Sequence, residues 1–365
     1  MKYVFTGGGT LGHTNPAIAV AEKVRELDKN ADILFIMREN GNENKLVQEH
    51  NFLVKTIPAC GLEKNGKHLI NTLSTTGKSI VKCFRIIQAF KPDVIFGTGG
   101  YVSFSPLLLG TIFKIPTFIH ESNIIPGRVT KITSHFGGIT LLNYDGTKER
   151  LPKSTHSIIV GNPILSDFSH INRIDARLKL QLKKDDILIL SFGGSGGSKA
   201  LNDIIMQVMN RYSQHKSHIA HIHATGEKYY KTISESFPQF VEEKNRCKIL
   251  PKIENMAMYM QAADIVICRC GAATLSEISA VGKASILIPS PNVTDNHQLE
   301  NGRYLSKQNA AILVEEKNLN LDDLIQKIDH LHTSKTFRKS IENNVKKLAK
   351  NDSAKLISEL LISHK

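Results

Sequence analysis

The sequence predicts an α/β fold made of two doubly wound parallel sheets, each in its own domain. Short apolar strands alternate with helical segments in the first half of the chain, and the same alternation restarts near residue 186. Each half opens with a strand, a glycine-rich loop and a helix, which is typical of parallel α/β units. The length of 365 residues is too great for one ordinary domain and suits two.

The first half contains six apolar segments with strand character. Its first helix is expected to begin at Pro16, with Thr14 or Asn15 as the cap, because proline is tolerated in the first turn of a helix. A further helix is predicted over residues 80–90. The predicted strands are 3–6, 33–37, 54–57, 94–96, 117–120 and 138–142.

The second half repeats the pattern, with a helix from about Lys199. Its predicted strands are 186–191, 219–224, 248–250, 265–268, 284–288 and 311–314. The change of pattern at Pro163 predicts an N-terminal domain over 1–160 and a C-terminal domain over 164–340. The last segment is a polar, lysine-rich pair of helices, and residues 341–365 are expected to pack back on the first domain. Two such halves facing each other would place a cleft at the carboxyl ends of their sheets.

The charge of the chain is strongly basic. Lys and Arg number 47 against 34 Asp and Glu, which gives a net charge of +13 and a pI near 9.4. This excess indicates an anionic partner, either nucleic acid, an acidic membrane surface or a phosphorylated substrate, unless it reflects lysine-rich composition alone. The five scattered cysteines form no disulfide or zinc pattern, so reduced thiols in a cytoplasmic protein are expected.

The uncharged stretch 94–113 is about as long as a membrane span. Its glycines, serines and Pro106 instead favour a buried strand, a glycine loop and a short apolar helix. The N-terminus has too few apolar residues to form the core of a signal peptide.

Three glycine loops follow predicted strands. Gly7-Gly-Gly-Thr-Leu-Gly12 opens the first helix, where backbone N–H groups and the helix dipole favour an anion. It also matches the dinucleotide pattern G-x-G-x-x-G, with Glu39 as a possible ribose ligand. Gly97-Thr-Gly-Gly100 fits an anion site and a tight turn equally well. Gly193-Gly-Ser-Gly-Gly-Ser198 is the strongest diphosphate candidate.

Polar side chains near these loops suggest binding and catalytic roles. His13 follows the first loop and is either a general base or a locally hydrogen-bonded histidine. Arg269 can pair with a phosphate, and Glu277 can accept the hydroxyls of a ribose unless it is simply exposed. Gln298 and Asn301 share a helix face that suits sugar hydroxyls. The chain has no D-x-D sequence, so a leaving diphosphate would be stabilised by glycine loops and helix N-termini rather than by a metal.

Taken together, these motifs resemble the MurG family of bacterial cell-wall N-acetylglucosaminyltransferases over nearly the whole chain. The matching segments are Thr10-x-Gly12-His13 with Pro16, Gly97-Thr-Gly-Gly-Tyr-Val-Ser103, His120-Glu-Ser-Asn123, Gly161-Asn-Pro163, Gly193-Gly-Ser195, Arg269-Cys-Gly271 with Ser276-Glu277, and His297-Gln298 with Asn301. The resemblance implies a GT-B fold. It also implies inverting transfer of N-acetylglucosamine from UDP-GlcNAc to the 4-hydroxyl of undecaprenyl-diphosphate-linked N-acetylmuramoyl-pentapeptide, in peptidoglycan synthesis.

The resemblance further implies site residues, with His13 as the catalytic base and no metal cofactor. Ser195 would meet the diphosphate, Ile253 the uracil and Glu277 the ribose. The implied UDP-GlcNAc contacts are Thr10, Leu11, Gly12, Asn123, Ser195, Ile253, Arg269, Thr274, Glu277, Gln298 and Asn301. The implied acceptor contacts are Gly97, Gly99, Gly100 and Tyr101.

Four positions depart from the family pattern. The family usually has glycine at Leu11, arginine at Leu165 and often serine at Cys270, and the proline of the Tyr-Val-Ser loop is shifted to Pro106. Leu11 places a side chain where the family has only backbone, and the phosphate contact of the arginine at position 165 is lost unless Arg269 or a lysine supplies it.

A basic and apolar stretch runs from Lys64 to Lys91. It has six basic residues and no acidic one, interleaved with apolar side chains. This composition suits an anionic lipid surface. Together with the resemblance, it predicts peripheral attachment to the cytoplasmic side of the inner membrane. The basic residues are Lys64, Lys67, Lys78, Lys82, Arg85 and Lys91.

Three other classes of protein account for part of these features. A nicotinamide-dependent oxidoreductase would use the Gly7 loop but leaves the Gly193 loop unexplained. Another GT-B enzyme, such as a UDP-sugar epimerase or a transferase acting on a different lipid, is the second alternative. A nucleic-acid binder is suggested by charge alone, and the chain has no tryptophan and few aromatic residues for stacking.

Overall fold

The computed structural model describes residues 1–60, 66–215, 218–242 and 246–364. The chain forms two compact units. The first contains Met1–Leu165 and Lys350–Lys365, and the second contains Ser166–Ala349. The two ends of the chain therefore belong to the same unit.

Each unit is built on a wholly parallel sheet. The strands of the first are β1 (Lys2–Thr6), β2 (Asp32–Arg38), β3 (Leu53–Ile57), β4 (Val94–Gly97), β5 (Thr117–Glu121), β6 (Ile139–Leu142) and β7 (Ser157–Ile159). Those of the second are β8 (Ile187–Phe192), β9 (Ile219–Ala224), β10 (Cys247–Leu250), β11 (Ile265–Cys268), β12 (Ala284–Leu287) and β13 (Ile312–Leu313). The strand orders are β3-β2-β1-β4-β5-β6-β7 and β10-β9-β8-β11-β12-β13. In each sheet the strand that comes first in the chain, β1 or β8, lies in the interior. The next two strands are added on one side of it and all later strands on the other side, as in doubly wound nucleotide-binding folds.

Helices connect the strands. In chain order they are α1 (Leu11–Leu27), α2 (Glu43–Glu49), α3 (Gly66–Phe90), α4 (Phe104–Ile112), α5 (Arg128–Thr133), α6 (Asp167–His170), α7 (Arg173–Lys179), α8 (Lys199–His215), α9 (Glu227–Ser236), α10 (Met256–Ala262), α11 (Ala272–Val281), α12 (His297–Lys307), α13 (Leu321–Thr333), α14 (Lys335–Lys347) and α15 (Ser353–Ser363). The fold class predicted from the sequence is confirmed. No helix in the described ranges is both long and apolar enough to cross a membrane.

The start of the first helix was predicted wrongly. Helix α1 begins at Leu11, directly after the glycine loop, and Pro16 lies inside it. The proline removes only the hydrogen bond that its N–H would give to the carbonyl of Gly12. The helix therefore accommodates Pro16 in its second turn, and Thr10 rather than Thr14 or Asn15 is the N-cap residue.

Apolar packing on both faces of the first sheet explains its near-continuous hydrophobic strands. One face packs on α1 and the other on α3 and α4. The C-terminal helix α15 completes the first of these layers, because Ile357 and Leu361 are fully buried in the same cluster as α1. Ser358 also donates a hydrogen bond from Oγ to the carbonyl of Val20, at 3.2 Å.

The core of the second unit contains a buried polar chain as well as apolar side chains. The Ser191 hydroxyl lies 2.8 Å from His221 Nε2 and 2.8 Å from His223 Nδ1. His223 Nε2 donates to Asn202 Oδ1 at 3.0 Å, and Asn202 donates to the carbonyl of Thr225 at 2.9 Å. Burial lowers the pKa of His223 to about 4 and that of His221 well below its ordinary value, so both rings are neutral in the folded protein.

Candidate functional site

The first glycine loop (Gly7–Thr10) is held by a carboxylate of the protein itself. The N–H of Gly9 donates to Glu43 Oε1 at 2.7 Å, and Glu43 is only 6% exposed. A buried negative charge at this loop opposes a phosphate there. In addition, the Glu39 carboxylate, which the dinucleotide alternative assigns to a ribose, forms an ion pair with Lys82 at 2.6 Å. Both contacts argue against the dinucleotide-binding alternative.

His13 is fixed by the second glycine loop (Gly97–Gly100). Its Nδ1 lies 2.7 Å from the carbonyl of Thr98, and a carbonyl can only accept, so Nδ1 carries the proton. In the neutral ring Nε2 then holds the lone pair. The Thr98 hydroxyl donates back to the carbonyl of His13 at 2.6 Å. The bond from Nδ1 gives the imidazole the tautomer that a general base needs, and the bond from the Thr98 hydroxyl holds the backbone of His13 against the loop.

The glycines of the second loop are explained by close packing. Gly99 has φ +95°, and a Cβ there would lie 3.1 Å from His13 Cε1. Gly100 has φ +79°, and its Cβ would lie 2.2 Å from the carbonyl oxygen of Gly8. The two loops thus contact each other and the His13 ring. Gly97 is buried at the end of β4, while Tyr101 is 51% exposed.

Asn123 is positioned by Glu121, a buried residue that the sequence reasoning missed. The Glu121 carboxylate accepts from Asn123 N at 3.0 Å and Asn123 Nδ2 at 3.2 Å. It also accepts from Gly127 N at 2.8 Å and from the Thr130 hydroxyl at 2.6 Å. The only signal in the sequence is its place at the end of β5, beside polar residues. A four-fold hydrogen-bonded carboxylate of this kind fixes the loop that carries Asn123.

His120, the first residue of the same motif, is structural. Its Nε2 donates to the carbonyl of Gly161 at 2.8 Å, and the ring is 1% exposed. Burial lowers the pKa of His120 to about 4, so the ring is neutral. It links β5 to the Gly161-Asn162-Pro163 segment where the chain leaves the first sheet.

The third glycine loop (Gly193–Ser198) joins β8 to α8 in the second unit. Its backbone folds tightly on itself, because a Cβ at Gly193 would lie 2.6 Å from Ser198 N. Gly197 has φ +71°, and its Cβ would lie 2.2 Å from the carbonyl oxygen of Thr225. By contrast, Ser195 is exposed at the tip of the loop. A tight, exposed backbone turn ahead of a long helix is the geometry that suits an anion.

Arg269 lies at the end of β11 and is 9% exposed. Its Nη1 donates to the carbonyls of Ile288 and Pro289, at 3.1 and 3.2 Å. Its Nη2 donates to the Ser198 hydroxyl at 2.5 Å and forms an ion pair with Glu316. The guanidinium expected to pair with a phosphate is therefore occupied by protein groups.

The other residues expected at the donor site differ in how deeply they are buried and in their hydrogen bonds. Glu277 on α11 is half-buried, and burial raises its pKa to about 7. Gln298 Oε1 accepts a hydrogen bond from Ser290 N at 3.0 Å. Asn301, one turn later on α12, is fully buried and donates to the carbonyl of Cys270 at 3.3 Å. Ile253 and Thr274 are half-buried.

The departures from the family pattern have clear places in the structure. Leu11 begins α1 and is 40% exposed. Leu165 packs against the core of the first unit, and Cys270 is fully buried. Pro106 is buried within α4. Among the described residues there is no group of three or more His, Cys, Asp or Glu side chains that can hold a metal ion.

Two parallel α/β units, each with a glycine loop at the carboxyl end of its first strand, define the GT-B class of nucleotide-sugar enzymes. The solved structures agree. The chain matches the crystal structure of Acinetobacter baumannii MurG with a TM-score of 0.74 at 24% identity, covering 99% of both chains. It also matches UDP-GlcNAc 2-epimerase from Neisseria meningitidis with a TM-score of 0.69 at 14% identity, over 99% of this chain and 100% of the other. At these identities the likeness establishes the fold and does not separate transferase from epimerase.

Comparison with sequence relatives distinguishes a transferase from an epimerase. Residues 3–137 match the glycosyltransferase family 28 N-terminal domain, and residues 188–359 match the C-terminal domain of the same family. A protein of Acetivibrio thermocellus named UDP-N-acetylglucosamine--N-acetylmuramyl-(pentapeptide) pyrophosphoryl-undecaprenol N-acetylglucosamine transferase is 37% identical, over 99% of this chain and 97% of that protein. A protein of the same name from Thermoanaerobacter sp. (strain X514) is 36% identical over the whole of both chains. The chain belongs to the MurG family, within glycosyltransferase family 28.

Proposed function

We propose that the protein transfers N-acetylglucosamine from UDP-GlcNAc to the 4-hydroxyl of N-acetylmuramoyl-pentapeptide carried on undecaprenyl diphosphate, with inversion at the anomeric carbon. The observation that carries this proposal is the full-length identity to transferases of that name, which covers both units. The product would be the lipid-linked disaccharide used in peptidoglycan synthesis.

His13 is the proposed base for this reaction. As the 4-hydroxyl attacks the anomeric carbon, its proton passes to His13 Nε2, and the bond from that carbon to the UDP oxygen breaks. One base and an in-line attack are enough for an inverting transfer. The Thr98 carbonyl accepts from Nδ1–H, at 2.7 Å, and stabilises the imidazolium that forms.

The second unit is the proposed donor-binding unit. The exposed turn around Ser195, ahead of α8, would bind the diphosphate, and Glu277 would accept the ribose hydroxyls. Ile253 would contact the uracil, and Thr274 and Gln298 would lie toward the sugar. Asn301 is fully buried, so in the described structure its proposed part is to hold the Cys270 carbonyl beneath the sugar site. In the first unit, Thr10 to Gly12 and Asn123 would face the transferred sugar, with the Gly97–Tyr101 loop toward the acceptor diphosphate.

A radiolabelled transfer assay tests the proposal. Transfer of label from UDP-GlcNAc to a lipid-linked muramoyl acceptor is expected with and without chelator, because glycine loops and helix N-termini would stabilise the leaving diphosphate. The same donor incubated without acceptor distinguishes an epimerase, since it would then be converted to the 2-epimer. Epimer formation without transfer would overturn the proposal.

The His13→Ala variant tests the base. Turnover is expected to fall by about 100-fold or more, the usual contribution of general acid–base catalysis, while UDP affinity stays within a few-fold. Wild-type turnover in this variant would remove His13 from the mechanism.

We further propose that α3 and the end of α4 form the surface that docks on the membrane. Leu73, Val81 and Phe84 are 65%, 54% and 41% exposed along one side of α3. Ile112 is the last residue of α4 and Phe113 directly follows it, at 60% and 39% exposure. The ring of Phe84 lies 5.7 Å from that of Phe113, centroid to centroid, so the two helices share one exposed apolar patch.

Cations border this patch. Lys78 and Arg85 are exposed on α3 next to its apolar side, whereas Lys82 already pairs with Glu39. Each cation near an anionic membrane contributes about 1 kcal/mol. Lys64 and the side chain of Lys67, which belong to the same predicted stretch, lie outside the described residues.

Vesicle binding tests the membrane surface. The double variant Lys78→Glu and Arg85→Glu is expected to lose most binding to anionic vesicles. A matched control, Lys179→Glu with Lys184→Glu, makes the same charge change at exposed positions of the second unit and is expected to keep binding. Equal binding of both variants would contradict the assignment of this surface.

A further inference from the structure

Arg269 connects four segments at the carboxyl edge of the second sheet. It follows β11 directly, and its Nη1 donates to the carbonyls of Ile288 and Pro289, which follow β12. Its Nη2 reaches Ser198, at the start of α8, and Glu316, in the turn after β13. All four Nη hydrogens therefore have acceptors within the protein, and no fork of two N–H groups is left for a phosphate.

Ser198 transmits this contact to the third glycine loop. The loop closes so tightly that a Cβ on Gly193 would lie 2.6 Å from Ser198 N and 2.7 Å from Ser198 Cβ. The N–H of Gly197, next to Ser198, donates to the carbonyl of Gly194 at 3.0 Å. A displacement of Ser198 would therefore move the backbone of the whole turn.

Glu316 supplies the negative charge that the buried guanidinium requires. The Arg269 side chain is 10% exposed and that of Glu316 is 22% exposed, so this ion pair is screened by little water. Removing one partner of such a pair leaves an uncompensated charge in a site that excludes water. Glu316 thus holds Arg269 in the conformation that contacts Ser198.

We propose that Arg269 is a positioning residue that acts on the donor through Ser198 and the Gly193–Ser198 loop, with Glu316 as its essential counter-ion. This inference rests on the proposed function, because it takes that loop to be the site of the donor diphosphate. It differs from direct phosphate pairing by Arg269, in which Glu316 would compete with the donor.

The direction in which UDP affinity changes in Glu316→Ala distinguishes a positioning role of Arg269 from direct phosphate pairing. If Arg269 positions the loop, Glu316→Ala releases the guanidinium from Ser198, and UDP binding measured by calorimetry weakens by about tenfold. If Arg269 pairs directly with the phosphate, the same substitution frees it, and UDP binds more tightly. Glu316→Gln keeps the shape of the side chain and is expected to weaken UDP binding less than Glu316→Ala. Tighter or unchanged UDP binding in Glu316→Ala overturns the proposal.

Uridine serves as the second ligand, since it has the ribose and base of UDP without phosphate. The proposal requires uridine affinity to stay within about twofold of wild type in both variants. Equal losses for uridine and UDP would indicate general damage to the unit and would also overturn it. Glu315→Ala is the matched control. The Glu315 carboxylate pairs with Arg303 and Lys317 rather than with Arg269, so this variant is expected to bind UDP normally.

A double-mutant cycle tests the route through Ser198. Arg269→Lys and Ser198→Ala should each weaken UDP binding, and the double variant should be little worse than either, because both break the same link. Additive losses would mean that the two residues act separately, contrary to the proposal. Failure of the wild-type protein to bind UDP would instead refute the proposed function, so the two failures are distinguishable.

Discussion

The raised pKa of Glu277 predicts that donor binding depends on pH near neutrality. Burial brings the pKa of this carboxyl to about 7 in the folded protein without ligand. A ribose hydroxyl donates to a carboxylate far better than to a carboxylic acid, so UDP should select the ionised form. The ionised fraction is about 0.9 at pH 8 and about 0.1 at pH 6, one pH unit to either side of the pKa. The apparent UDP affinity should therefore fall by about tenfold between pH 8 and pH 6.

Isothermal titration calorimetry at both pH values measures this change. UDP itself takes up protons near pH 6, so the comparison needs a variant in which only the protein group is altered. Glu277→Gln cannot ionise and should retain only the pH dependence of the ligand. If wild type and Glu277→Gln show the same ratio of affinities at pH 8 and pH 6, the carboxylate does not bind the ribose in the way proposed.

The same residue gives a check on stability that needs no ligand. The folded pKa of about 7 lies above the ordinary value of 4.5, so protonation favours the folded state. The stabilisation is complete below pH 4.5 and is lost as the pH rises through 7. The shift corresponds to about 3 kcal/mol. Glu277→Gln should therefore gain stability relative to wild type as the pH rises from 4.5 to 8, as measured by urea unfolding.

Three further predictions concern backbone and buried groups. Gly99→Ala should lower turnover at least tenfold with little change in UDP affinity, because a Cβ at φ +95° would strain the loop and press on the His13 ring. Gly197→Ala should abolish measurable UDP binding, since its Cβ would lie 2.2 Å from a carbonyl oxygen, whereas Gly77→Ala, on α3 of the first unit with nothing within 4 Å, should bind normally. Stability should fall as the pH drops from about 6.5 towards 4, because the unfolded chain binds protons that buried His221 and His223 cannot take up. Ring signals in an NMR titration that show either histidine charged in the folded protein at pH 6 would contradict this account.

Local sequence patterns predicted most of the strands because most of them are buried and almost continuously apolar, and they missed β7, whose residues are half-buried or exposed. The same patterns misplaced the start of α1, where the preference of proline for the first turn was outweighed by the glycine loop that ends at Thr10. They also treated Gln298 and Asn301 as one polar face. Helical spacing cannot show that Asn301 turns inward to the Cys270 carbonyl, which belongs to another segment of the unit.

The residues that the sequence did not reveal act over long distances along the chain. Glu43 is 34 residues from the Gly9 N–H that it accepts, and Thr98 is 85 residues from His13. Glu316 is 47 residues from Arg269. No local pattern marks such pairs, since each depends on two loops meeting at the edge of a sheet. The motif residues themselves were visible, and the groups that orient them were not.

The placement of α15 in the first unit has a consequence for biosynthesis. The ribosome completes Ser166–Ala349 before it makes Ile357 and Leu361, the side chains that finish the core of the first unit. Domains usually fold as they emerge, with the N-terminal one first. Here the second unit is contiguous and can fold early, while in the first unit the part of α1 that packs on α15 stays uncovered until α15 is made. A nascent chain stalled before residue 350 should therefore hold a protease-resistant second unit beside a first unit that is still open to chaperones.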